Sequence, residues 1–98
     1  MAGTLLNDDE INGLLSDYPA WSFDGQALTR SYQFPSFDEA FAFMSDVATV
    51  SASQNHHPDW RNCYGRIDVT IVDHDAGGVS DRDHRWVTAV ELLNPLEG

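Results

Sequence analysis

The period of the apolar positions switches between three to four and two along this chain, and the switches predict its elements. Ile11, Leu14 and Leu15 lie at helical spacing, behind Asn7 as an N-cap with Glu10 three residues later. That helix should end before Tyr18-Pro19, because a proline restricts the residue ahead of it. "AWSFDGQALTRSYQF" then reads as a hairpin turning on Asp24-Gly25, with Leu28, Arg30, Tyr32 and Phe34 sharing one strand face. Arg30 is out of place in that set unless a carboxylate pairs with it. "SFDEAFAFMSDVATVSAS" carries the strongest helical pattern, with Ser36 as cap and Glu39 as its box partner. Phe37, Ala40, Phe41, Met44, Val47 and Ala48 form one wide apolar face, and the helix should run to about Ser53.

A second pair of strands follows. "WRNCY" and "RIDVTIVDH" flank Gly65, and Ile67, Val69 and Ile71 alternate with Asp68 and Thr70, the pattern of a strand buried on one face. "DHDAGG" is a loop with two glycines, in which Asp73 and Asp75 read as solvated. In the last helix Ser80 is the N-cap, Asp83 its box partner, Trp86, Val87, Val90 and Leu93 face inward, and Pro95 ends it. The order helix, strand, strand, helix, strand, strand, helix predicts an α+β fold: a four-stranded antiparallel sheet with three helices packed on one face. At 98 residues the chain is expected to form a single domain over 1–98. A bare sheet face or edge would favour a second copy of the chain as partner.

Composition narrows the function classes. The single cysteine, Cys63, excludes an internal disulfide and any multi-cysteine zinc site, and reads as packing rather than as a nucleophile. Without a long apolar run or a charged leader, a cytoplasmic location is expected and a membrane partner is not. Sixteen acidic residues against five basic ones, all arginine, give a formal net charge of −11. Such a surface repels nucleic-acid backbones and anionic membranes, so no direct nucleic-acid partner is expected.

The remaining chemistry concentrates in "QNHHPDW", which holds two of the four histidines. His56 and His57 follow the long helix, and His74 lies one hairpin later, where a hairpin's return can bring it beside the pair. Three imidazoles can hold a metal with one open position, but adjacent residues in an extended segment point apart and no HxH or HxxxH pattern is present. A histidine at a helix C-terminus can also serve only the helix dipole. The third reading is metal-free acid–base chemistry, for which imidazoles titrating near neutrality are suited.

"NHHPDW", then Tyr64, "VDHDAGG" and "SDRD" together resemble the pterin-4a-carbinolamine dehydratase family, with His56, His57, Pro58, Tyr64, His74 and Asp83 at the motif positions. The hairpin and Phe-rich helix of residues 20–48 resemble the family as well, so the likeness spans nearly the whole chain. The resemblance implies the α+β fold read above, a homodimer or homotetramer, and a pterin substrate. It implies the dehydration of 4a-hydroxy-tetrahydropterin to quinonoid dihydropterin and water, in recycling the cofactor of aromatic amino acid hydroxylases. No metal or other cofactor is implied. His56, His57 and His74 would line the pterin pocket, His56 and His74 transferring protons and His57 positioning the substrate. Trp60 would support the core or pack on the ring, and Asp83 would orient a histidine or cap its helix. One position departs from the family: four residues before His56, where an ionisable residue is usual, stands Ala52, between Ser51 and Ser53. A serine or a water would have to substitute there, and a weakened paralogue acting as a pterin-binding or dimerisation module is the alternative.

The charge pattern yields an expectation independent of the site. If the acidic surface suits a salty cytoplasm, the thermal midpoint should rise steeply from low to molar salt as self-repulsion is screened; a flat response in a melting series would refute it.

Overall fold

The computed structural model describes residues 2–93. Its elements are α1 (Asp8–Asp17), β1 (Ser22–Phe23), β2 (Leu28–Gln33), α2 (Phe37–Gln54), β3 (Asp59–Cys63), β4 (Arg66–Ile71) and α3 (Asp81–Leu93). The strands form one antiparallel sheet in the order β1-β2-β4-β3. The element order and sheet are those the sequence predicts. The stop expected at Pro95 lies outside the described residues.

Local chemistry sets the helix starts. Asn7 Oδ1 accepts from the Glu10 N–H at 2.8 Å while Glu10 Oε1 accepts from the Asn7 N–H at 2.8 Å, so both halves of the box close on α1. At α2, Ser36 Oγ accepts from the Glu39 N–H at 3.2 Å, but the Glu39 carboxylate returns to the Ser36 hydroxyl, 3.1 Å away.

The register pairs Leu28 with Ile71, Arg30 with Val69 and Tyr32 with Ile67, which puts these side chains on one face of the sheet. Against that face pack Ile11 and Leu14 of α1, Phe43 and Val47 of α2, and Trp86, Val87 and Val90 of α3. The opposite face carries Thr29, Ser31, Gln33, Arg66, Asp68 and Thr70.

Two expectations shift by one position. The hairpin closes with Asp24 N–H donating to Ala27 O at 3.1 Å, so the chain reverses over Gly25-Gln26 rather than Asp24-Gly25; Gly25 takes φ +99°. The inward stripe of α2 is Ala40, Phe43, Val47 and Ser51, whereas Phe37, Phe41 and Ala48 face outward. α2 is apolar around much of its circumference, so period alone leaves its rotation open. The sheet selects it: Phe43 meets Tyr32 and Phe34 with ring centroids 4.8 and 5.2 Å apart, while Phe37 and Phe41 stack on each other outside.

Arg30 finds the carboxylate its position requires. Its guanidinium donates to Glu91 Oε1 at 2.6 Å, the same oxygen accepts from Trp21 Nε1–H at 2.7 Å, and Arg30 lies over the Tyr32 ring at 4.2 Å. With side chains only 7% and 11% exposed, this pair is a buried one. Glu91→Ala should therefore cost about 3–5 kcal/mol in urea unfolding, because it removes the carboxylate paired with a buried guanidinium. Glu91→Gln, which still accepts from Trp21, should cost less.

Candidate active site

The end of α2 sets the site. Asn55 adopts the left-handed conformation (φ 50°, ψ 45°), its N–H donates to Ala52 O at 3.2 Å, and the His56 N–H donates to Ser51 O at 3.0 Å. This is the paired-bond helix terminus that satisfies the last carbonyls and reverses the chain. The reversal turns His56 inward, where it is 7% exposed, and leaves the adjacent His57 exposed.

Inside, His56 Nε2 lies 2.6 Å from Oδ1 of Asp83, which is fully buried in the first turn of α3. Asp83 Oδ2 accepts from the Ser80 N–H at 2.8 Å, and Ser80 Oγ accepts from the Arg82 N–H at 3.1 Å. The Ser80–Asp83 box is thus made, with the serine serving the second rather than the third helical residue. Burial pushes the Asp83 carboxyl above its ordinary range, and the bonds from Ser80 and His56 offset this only in part. Two further bonds tie the same helix ends together. Arg82 donates to Asn55 O at 2.6 Å, and Trp86 Nε1–H donates at 3.0 Å to Ser51 Oγ, which itself donates to Val47 O at 2.8 Å.

His74 lies in the loop after β4, exposed, with Nε2 4.0 Å from Asp59 Oδ2 at the start of β3. A cleft of about 440 Å³ opens there, between His74, Asp59 and Thr70 on one side and the Asp24–Gln26 turn on the other. That volume lies in the range of small-molecule sites. His74 thus returns beside the His57-Pro58-Asp59 segment, although His56 and His57 are not among the residues lining the cleft.

The other expected residues fall as follows. Trp60 is half-buried and packs against the core from β3, which supports a core role. Ala52 is exposed on the last turn of α2, and the Ser53 hydroxyl is donated to Val50 O at 2.8 Å, within its own helix. Tyr64 stands 74% exposed at the β3–β4 turn with φ +55°. Cys63 is exposed, not packed as read from its strand pattern. Asp73 corrects another expectation: it is 2% exposed rather than solvated. Strand alternation does not reach a loop residue, and three donors compensate its burial, the local Ala76 N–H at 3.3 Å and two that the fold brings in, Gly3 N–H at 2.8 Å and Ser80 Oγ–H at 2.7 Å. Among the described residues, no three His, Cys, Asp or Glu side chains converge as a metal site, and no helix is long and apolar enough to cross a membrane.

Residues 4–93 match the family model described as pterin 4 alpha carbinolamine dehydratase. The chain belongs to that family. A protein of Prochlorococcus marinus (strain MIT 9303), named "Putative pterin-4-alpha-carbinolamine dehydratase", is 38% identical over 95 residues, covering 97% of this chain and 99% of that protein. One of the same name from Rhodospirillum rubrum is 43% identical over 90 residues, covering 90% and 94%. Among solved structures, the transcriptional coactivator/pterin dehydratase from Brucella melitensis superposes with a TM-score of 0.85 at 36% identity, covering 90% of this chain and 96% of that one. The pterin-4a-carbinolamine dehydratases are hydro-lyases that act on a pterin substrate, and this chain is an enzyme of that class.

The raised Asp83 carboxyl has a testable sign. A carboxyl held above its unfolded value of 3.8 contributes stability that is present below that pH and lost as pH rises through the folded value. Subtracting Asp83→Asn from the parent protein in a series of urea unfolding curves should thus show the parent losing relative stability from about pH 4 upward. The variant is expected to remain folded at neutral pH.

Proposed function

We propose that the chain dehydrates 4a-hydroxy-tetrahydropterin, using His56 and His74 for the two proton transfers and His57 to position the substrate. The C4a–O bond breaks as the hydroxyl takes a proton and leaves as water. The adjacent ring nitrogen loses its proton, and a C4a–N5 double bond forms in the quinonoid dihydropterin. One acid and one base complete this balance.

The observation that carries the assignment is the buried His56–Asp83 contact of 2.6 Å. An ionised Asp83 accepts from Nε2–H, which fixes that tautomer, leaves Nδ1 as the basic nitrogen and stabilises the imidazolium that forms when His56 takes the N5 proton. His74, exposed beside the cleft and near Asp59, delivers the proton to the departing hydroxyl. Asp83 acts through His56 and is a positioning residue. The quinonoid product fits the recycling of a pterin used by an aromatic amino acid hydroxylase.

Ala52 favours the competing reading, a weakened member that binds pterin or a protein without turnover, because Ser53 spends its hydroxyl on the helix and offers no substitute acid. One assay separates the two. The purified protein should accelerate the decay of 4a-hydroxy-tetrahydropterin followed by absorbance. His56→Ala or His74→Ala should each lower kcat by about 10²- to 10⁴-fold. A parent rate equal to the spontaneous one rejects the enzyme reading in favour of the binding module.

A further inference from the structure

The dehydration as proposed makes no use of Asp73, although it is the second buried carboxylate near the histidines. Its backbone closes the loop that carries His74: Asp73 O accepts from the N–H groups of Ala76 (3.1 Å), Gly77 (3.0 Å) and Gly78 (3.2 Å), and its own N–H donates to Gly78 O at 3.1 Å. Its side chain reaches the other way. Oδ2 accepts from Ser80 Oγ–H at 2.7 Å and from the Gly3 N–H at 2.8 Å. Ser80 then donates its backbone N–H to Asp83 Oδ2 at 2.8 Å, and Asp83 Oδ1 meets His56. A continuous hydrogen-bonded path therefore runs from the His74 loop through Asp73, Ser80 and Asp83 to His56. One serine, with one donor for each, bridges two carboxylates that would otherwise repel.

The segment ahead of α1 completes the joint. Leu6 N–H donates to Val79 O at 3.0 Å and Asp81 N–H to Thr4 O at 2.9 Å, so residues 3–6 lie as a strap along residues 78–81. Thr4 N–H also donates to Asp81 Oδ1 at 2.9 Å. A Cβ on Gly3 would collide with Asp81 Oδ1 and stand 2.7 Å from Ser80 Oγ, so any other residue there must displace these side chains.

We propose that Asp73 is a positioning residue for the dehydration, locking the His74 loop to the Asp83–His56 pair through Ser80 so that acid and base keep one separation. This rests on the assignment of the histidines above. A neutral isostere cannot replace it fully: an asparagine has one accepting oxygen for three donors and turns an NH2 toward groups that donate themselves.

The charge of Asp73 also reaches the pair. Arg82 and Asp83 of α3 reach it through charge, Asp83 in turn meets His56 from the end of α2, Asp81 lies across the strap, and His74 and Asp75 follow it in its own loop. Burial opposes ionisation of Asp73, and the donors Gly3, Ser80 and Ala76, with Arg82 nearby, outweigh burial and hold its carboxyl below the ordinary range. At Asp83 burial is the main upward influence, and the Asp73 charge adds to it. Neutralising Asp73 should move the titration of the Asp83 carboxyl to lower pH.

The test compares the full chain with Asp73→Ala, Asp73→Asn and Ser36→Ala, the last a cap loss at the far end of α2 that lowers stability without touching the path. Asp73→Ala should lose about tenfold or more in kcat beyond Ser36→Ala, with KM little changed, since misplaced groups lose rate more than binding. Asp73→Asn should shift the acid limb of kcat/KM to lower pH. Independently of turnover, the ring-nitrogen resonances of His56 should change in both Asp73 variants, and amide exchange at 76–78 and 83–84 should quicken together. If Asp73→Ala does not fold, the isosteric Asp73→Asn carries the comparison. Folded Asp73 variants that match Ser36→Ala in kcat, pH profile, His56 resonances and exchange overturn the proposal. Should the parent protein itself show no dehydration, the enzyme reading falls, and the resonances and exchange still decide whether Asp73 couples the two elements.

Discussion

The contact between His56 and Asp83 is the constraint around which the rest of the molecule is arranged. A carboxylate with no exposure is costly unless its oxygens are satisfied, and here one oxygen is served by the Ser80 N–H and the other meets an imidazole just beyond the end of α2. That arrangement requires the C-terminus of α2 and the N-terminus of α3 to meet at a fixed distance. Arg82 reaching Asn55 O, and Trp86 reaching Ser51 one turn lower, hold the same two ends in the same relation. Trp86 is fully buried, touches Trp21 edge-on at 6.1 Å, and so connects this clamp to the core under the sheet. Packing and site geometry are one set of contacts here, not a scaffold with residues added to it.

The clamp makes the histidines unequal. His56 is enclosed, with Nε2 held 2.6 Å from a buried carboxylate oxygen, whereas His57 and His74 are exposed. Acid–base chemistry on one small molecule needs groups whose environments differ, because two identical imidazoles would compete for the same proton. The fold generates that difference from burial and the Asp83 contact together.

Much of the architecture was legible in the chain because alternation and helical spacing report which side of an element is buried, and the caps at Asn7, Ser36 and Ser80 stand where the pattern puts them. Arg30 was legible as an anomaly, and Glu91 resolves it. The rotation of α2 was not, since an all-round apolar helix takes its facing from its partners. Asp73, Ser51 and Arg82 were equally hidden: each acts through a bond to residues at least 7 and up to 70 positions away, and nothing local marks a polar side chain as buried. Cys63 misled for the opposite reason, its strand being an edge whose outward positions are exposed. The three histidines were visible as a group, but which one is enclosed depends on a left-handed residue at Asn55 that the sequence does not announce.

That residue explains why the histidines are adjacent. A metal site would need both imidazoles to point to one centre, and neighbouring side chains leaving a helix terminus do not. Asn55 turns the chain so that the next residue enters the interior and the one after it faces out. Adjacency then becomes an advantage: one reversal supplies a buried imidazole held by a carboxylate and an exposed one on the next residue. Proline at 58 follows at once and limits the freedom of His57 before β3 begins. The doublet is therefore best understood as two different residues made from one residue type, their difference created by the helix end between Ser51 and His56 and preserved by the joint on the far side of Asp83.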